Sequence, residues 1–327
     1  MWSSGIGSMP GGAVGSELDN ARDYDEAQRV VLGEVSLPHL VEMPGRGAIA
    51  SMVGRTLGLI SELGFDLQPA GWRLSSRGGD QRRATSLLAQ DLDVVSAIGV
   101  SGRFKVQVCG PWTLAAAVEK PRGERVLSDF GARRDLAEAL AAGVVDHVAD
   151  VRRRLPGADI LVQVDEPALP AVMAGQVPTA SGFHRHRSVD PPKISAGLEP
   201  VMAAITAAGA TPVVHCCAAA VPVALLRGAG ARGLLVDLEV LAAECYEPLA
   251  EALEAGDWIG LGIAGESQTQ SALNARAHRF FDMLGLAPTE QTMLTSSCGL
   301  ASSTPDAARA LLSQLTVAAK SLSPPPL

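Results

Sequence analysis

"FKVQVCG" at 104–110, "DLAEALAAGVVDHVADVRRRL" at 135–155 and "ILVQVDE" at 160–166 read as strand, helix and strand. The first and last runs are short and β-branched, whereas the middle stretch repeats its apolar residues at three and four. Parallel strands need a helical crossover of this kind. The same alternation recurs along the chain. Further strands are expected at "SSGIGS" (3–8), "FDLQPAGW" (65–72), "TPVVHCC" (211–217), "GLLVDLE" (233–239), "WIGLGIA" (258–264) and "TMLTSS" (292–297), with helices at 197–209, 221–230 and 271–286. Eight strands, each followed by helix, predict one α/β domain, a (β/α)8 TIM barrel over 1–327, with 321–327 as a disordered tail.

Composition narrows the partners. A net charge of −8, with no basic stripe, argues against nucleic acid or an anionic membrane surface, and leaves small molecules as the expected partners. The start "MWSSGIGSMPGG" has no cationic and apolar leader, and no later run is long enough to span a bilayer, so a cytoplasmic protein is expected. Five scattered cysteines do not make a disulfide framework.

In such a barrel the carboxyl ends of the strands converge on one rim, and here those ends carry the chemistry. Side chains alternate along a strand, so His215 and Cys217 share a face and Cys216 points the other way. Two more ligands complete a tetrahedral set: Glu239, with Asp237 sharing its face as a rival, and Cys298. Imidazole, thiolates and one carboxylate suit Zn²⁺ better than Mg²⁺ or Ca²⁺. Cys109 and Cys245 read as buried packing.

"GIGSMP" (5–10), "CGPWTL" (109–114), "QVDEPAL" (163–169), His215-x-Cys217, Glu239 and "SSCGL" (296–300) together resemble the C-terminal catalytic barrel of the cobalamin-independent methionine synthase family, along nearly the whole chain. The resemblance implies a zinc-dependent transfer of a methyl group to the thiol of homocysteine, in methionine biosynthesis. Homocysteine would displace Glu239, and its zinc-held thiolate would attack the donor methyl. Its amino group would lie on Asp165 and Glu42, with Glu34 as the rival for Glu42, and its carboxylate on the Gly7-Ser8 turn. Glu166, together with Asp165, would take the catalytic role, with Glu166 relaying a proton on the donor side. The match covers half of that family's usual length, and "WIGLGIAGESQTQ" (258–270) lacks the family's Tyr-Asp-Ile-His-Ser pattern. Both departures point to the short core form and to methylcobalamin or a corrinoid protein as donor in place of methyltetrahydrofolate polyglutamate.

Rival readings rest on less. "GLGIAG" (260–265) fits a dinucleotide fingerprint but no acidic strand end follows it. "HRHR" (184–187) suggests an anion site or a solvated loop. Other zinc thiol alkyltransferases, such as coenzyme M methyltransferases and uroporphyrinogen decarboxylase relatives, also place His-x-Cys and a distant Cys at strand ends. A zinc scaffold without turnover is the remaining alternative, and would close its fourth ligand position.

Overall fold

A computed structural model describes residues 1–12, 16–76, 78–265 and 268–322. The strands are β1 (Trp2–Ser3), β2 (Phe65–Gln68), β3 (Gly71–Leu74), β4 (Arg103–Cys109), β5 (Asp159–Asp165), β6 (Thr211–Cys216), β7 (Gly233–Asp237), β8 (Trp258–Ala264) and β9 (Thr292–Ser296). Seven of them form one parallel curled sheet in the order β1-β9-β8-β7-β6-β5-β4, and helices follow the strands on its outer face. The architecture is the expected (β/α)8-like barrel.

The gap between β1 and β4 is closed by a segment that the sequence did not mark as a strand. Leu37 N–H donates to Ser3 O at 2.9 Å and Glu42 N–H to Gly7 O at 3.0 Å on one side. Leu40 N–H donates to Lys105 O, and Lys105 N–H to Pro38 O, on the other. Two backbone groups of the segment pair with a side chain instead. Gln28, from the helix Glu17–Glu34, donates to His39 O and accepts from Val41 N–H. The expected strand at 65–72 is corrected by this closure: β2 and β3 form an antiparallel hairpin outside the barrel, and 37–42 takes the vacant place. Pro-Ala at 69–70 in "FDLQPAGW" makes the turn.

Two apolar cores flank the sheet. Val106, Val162, Val214 and Leu261 face outward against helix residues such as Leu140 and Leu312. Ile6, Leu37, Leu161, Val213, Leu235, Trp258 and Met293 plug the barrel's interior. Burying a side chain of this size contributes about 1.5–3 kcal/mol. Gly260 and Gly262 serve this packing, since a Cβ at Gly260 would meet Leu235 Cγ at 2.5 Å and one at Gly262 would meet Val236 O at 2.7 Å. The glycines of "GLGIAG" therefore admit neighbouring strands, not a pyrophosphate.

Ser321 and Leu322 end the helix Pro305–Leu322, so the expected tail does not begin at 321; residues 323–327 lie outside the described residues. No helix among the described residues is long and apolar enough to cross a membrane.

Candidate metal centre and ligand pocket

Above the plug, β5 and β6 climb from apolar to polar in steps of two. On β5 the inward residues run Leu161, Gln163, Asp165; on β6 and just past its end they run Val213, His215, Cys217. The alternation that aims His215 and Cys217 inward buries Cys216 in the outer core. Cys298 follows β9 at the exposed lip. His215, Cys217 and Cys298 each offer a donor atom, and the three atoms lie within 4.8 Å of one another. His215 Nδ1 is 3.2 Å from Leu235 O, which fixes that nitrogen as the donor and leaves Nε2 for a ligand bond.

The two sulfurs shift each other in opposite directions. Hydrogen bonds from Cys217 and then His215 hold the Cys298 thiol down at about 4, while donating to Cys298 and losing solvent push Cys217 up. Zinc bonds of about 2.0–2.3 Å put tetrahedral donors roughly 3.3–3.8 Å apart, so small side-chain rotations bring this set onto one ion. An imidazole with two sulfurs fits a soft divalent metal, and a metal-binding role is consistent with the donor set.

Glu239 is not in this group. Its carboxylate takes Arg276 Nη1 at 2.6 Å and Gln268 Nε2 at 3.1 Å. Arg276 comes from the helix Gln270–Leu284, which the strand-end pattern could not reveal. Asp237, the rival, accepts from Glu239 N–H at 2.9 Å and is likewise outside the group.

Beside the sulfurs lies an acidic pocket. Asp165 accepts from Gln163 Nε2 at 2.7 Å, and Glu42 pairs across the seam with Ser8 and lies 3.6 Å from Arg55 Nε. Burial, then the Glu42 carboxylate, pushes Asp165 well above the ordinary range, and the charge of Cys298 adds to it. Burial raises Glu42 too, against the pull of Arg55. Arg55 is mostly taken by Asp91, which binds its Nη1 at 2.5 Å and also forks onto Arg46. A second cation, Lys105, is fully buried and donates to Gln163 Oε1 at 2.5 Å and Ile6 O at 3.2 Å. Desolvation pulls it down to about 7. Glu42 thus shares Arg55 with Asp91, while Asp165 has no ion-pair partner among the described residues and feels only the pull of Lys105.

Gly7 and Ser8 line the same mouth. Ser8 O accepts from Leu300 N–H at 2.8 Å, and Gly299 has no side chain where Ser8 Oγ packs. A Cβ on Gly7 would lie 3.0 Å from Gln107 Nε2. Gln107 itself is buried, with neither amide atom hydrogen-bonded. Glu34 is elsewhere, paired with Arg309 at 2.9 Å.

Glu166 points away from the mouth. It accepts from Trp112 N–H and Thr113 N–H, each at 2.8 Å, and from Thr113 Oγ1 at 2.7 Å, so it caps the helix Pro111–Ala117. Burial pushes it up to about 7 against those bonds. The donor-side proton relay expected of Glu166 is corrected by this placement, because its two oxygens serve the helix.

Lys105, Gln107, Gln163 and Arg55 went unmarked in the sequence. For the first three the signal was present: "KVQV" and "LVQV" put polar residues into strands that should be apolar on both faces; Arg55, on the helix Met52–Leu57, carries no such mark.

No family model matches the chain, and no curated protein does. Among solved structures, 2,3-dimethylmalate lyase, a PEP mutase/isocitrate lyase superfamily member, is similar at 14% identity over 63% of this chain and 72% of that one, with a TM-score of 0.28. Oxaloacetate acetylhydrolase is similar at 15% identity over 64% and 72%, with a TM-score of 0.26. These findings overturn the expected homocysteine methyltransferase: the similar structures are a lyase and an acetylhydrolase. That activity, its place in methionine biosynthesis and the other thiol alkyltransferase readings are set aside. Likeness at this level gives the chain neither of those enzymes' activities.

Proposed function

We propose that this barrel is a soft-metal centre that captures a small amine-bearing thiol. The observation that carries the reading is the convergence of His215, Cys217 and Cys298 donor atoms within 4.8 Å at the ends of two strands, β6 and β9. Zinc is the metal we favour, since the donors are nitrogen and sulfur. When bound, it would lower the pKa of a ligand thiol so that the sulfur is held as thiolate. The engagement of Glu239 by Arg276 leaves three protein donors, the number found in open zinc sites. The resemblance noted in the sequence supports this ligand set, and we carry it no further than the site.

The chain's own residues select the rest of the ligand. Asp165 and Glu42 would face its ammonium, which needs paired charge once it leaves water. Ser8, Gly7 and the Gln107 amide offer hydrogen bonds to its remaining polar atoms. The charge of Lys105 favours the ionised form of both carboxylates.

Native mass spectrometry of protein prepared without added metal tests the centre. About one zinc per chain is expected, lost in Cys217→Ser and Cys298→Ala and kept in Cys216→Ser. Absence of metal from wild-type protein after zinc supplementation refutes the centre. Cobalt-substituted protein then tests the ligand: cysteamine should give a sulfur-to-cobalt charge-transfer band at lower concentration than 2-mercaptoethanol, and Asp165→Asn should erase that preference.

A further inference from the structure

A second cleft, of about 440 Å³, opens between the loops that follow β4 and β5. The loop after β5 folds back as a hairpin arm: Thr179 N–H donates to His184 O and His186 N–H to Val177 O. Glu124, from the loop after β4, pins the arm by accepting Ala180 N–H at 3.2 Å and lying 3.3 Å from His186 Nε2. The arm is thus ordered, and it carries "HRHR", a motif that the metal centre does not use.

Pinning the arm presents Arg185 and Arg187 to the cleft, opposite Arg133 and Lys193 from the helices Phe130–Arg154 and Pro191–Ala207. Lys193 has its own carboxylate, Asp190, at 2.9 Å. The three arginines have none among the described residues. Arg133 instead stands 5.5 Å from the Trp112 ring and 5.9 Å from the Phe130 ring, and its buried Nε lacks a hydrogen-bond partner. The one carboxylate in the lining, Glu124, is spent on the arm. On a chain of net charge −8, three guanidiniums without an ion-pair partner among the described residues, only Arg133 being drawn on by a nearby carboxylate, Asp129, concentrate positive potential around one concavity.

We propose that this cleft binds a small, multiply charged oxyanion, the phosphate or polycarboxylate portion of a small molecule. Guanidinium forks match such oxygens two at a time, which a scatter of lysines does not. The site shares no residue with the metal centre, so it stands or falls separately.

Titration calorimetry on the full chain at low salt, with pyrophosphate and with citrate, tests it. Wild type is expected to bind at least one; pyrophosphate alone marks a phosphate ligand and citrate alone a polycarboxylate. The double variant Arg185→Ala/Arg187→Ala should lose about tenfold or more in affinity, roughly 1.4 kcal/mol. A control that removes the same charge elsewhere, Arg22→Ala/Arg232→Ala, should change it by less than about twofold. Cys298→Ala should bind as wild type does. The proposal is overturned by no binding of either anion at millimolar concentration, by equal losses in the two double variants, or by loss in Cys298→Ala, which would place the anion on the metal.

Discussion

Gln107 is the residue at which fold and site pull in opposite directions. Both of its amide atoms are buried without a partner, which costs on the order of 1–3 kcal/mol. Methionine has nearly its length and none of its polarity. Gln107→Met is therefore expected to raise the unfolding free energy by about 1–2 kcal/mol in urea titrations, while weakening cysteamine binding to the cobalt protein. A loss of stability would mean that the amide is satisfied within the fold. Single residues were legible in the sequence where alternation alone decides their direction. His215 and Cys217 were found that way, and Cys216 was assigned to packing by the same rule. Glu239 and Glu166 were not, because their partners arrive from distant elements: Arg276 from one helix, and the Trp112 and Thr113 amides from the first turn of another.

Among the elements, the seven-residue helix Pro111–Ala117 depends most on a distant group. Its N-cap position is Gly110, which has no side chain to offer, and its free amides end on the Glu166 carboxylate. Glycine is also required there by space, since a Cβ would run into that carboxylate. Glu166→Ala is expected to cost about 2–3 kcal/mol in chemical denaturation, and Glu166→Gln less, because the amide keeps one acceptor oxygen. An unchanged midpoint for Glu166→Ala would contradict the capping role. Strand identity was legible for the seven sheet strands and failed at the seam. The segment "LPHLVE" (37–42) carries a proline and a histidine, and two of its backbone groups bond to the Gln28 side chain, so neither composition nor period marks a strand. The hairpin at 65–74 has a strand's composition and filled the count in its place.

For the molecule as a whole, acid should act through buried histidines. Burial, ahead of the neighbouring Arg55, lowers His147 to about 4, below its ordinary 6.5. A depressed histidine stays neutral in the fold while the unfolded chain takes up a proton, so its cost is absent above about pH 6.5 and grows as pH falls toward 4. His147→Gln removes that liability. Relative to wild type it should gain about 1.4 kcal/mol per pH unit below pH 6.5, on the order of 3 kcal/mol by pH 4. Parallel pH profiles for the two proteins would disprove the assignment. The closure of the barrel has a consequence of another kind. β1 bonds to β9, and the helix Pro305–Leu322 staples the same corner through Thr316 Oγ1, 2.6 Å from Ser3 Oγ. A ribosome makes β9, the partner of β1, only after every other strand of the sheet. Until residues 292–322 emerge, the nascent sheet has two raw edges and an uncovered interior, so the cell must shelter the barrel until then.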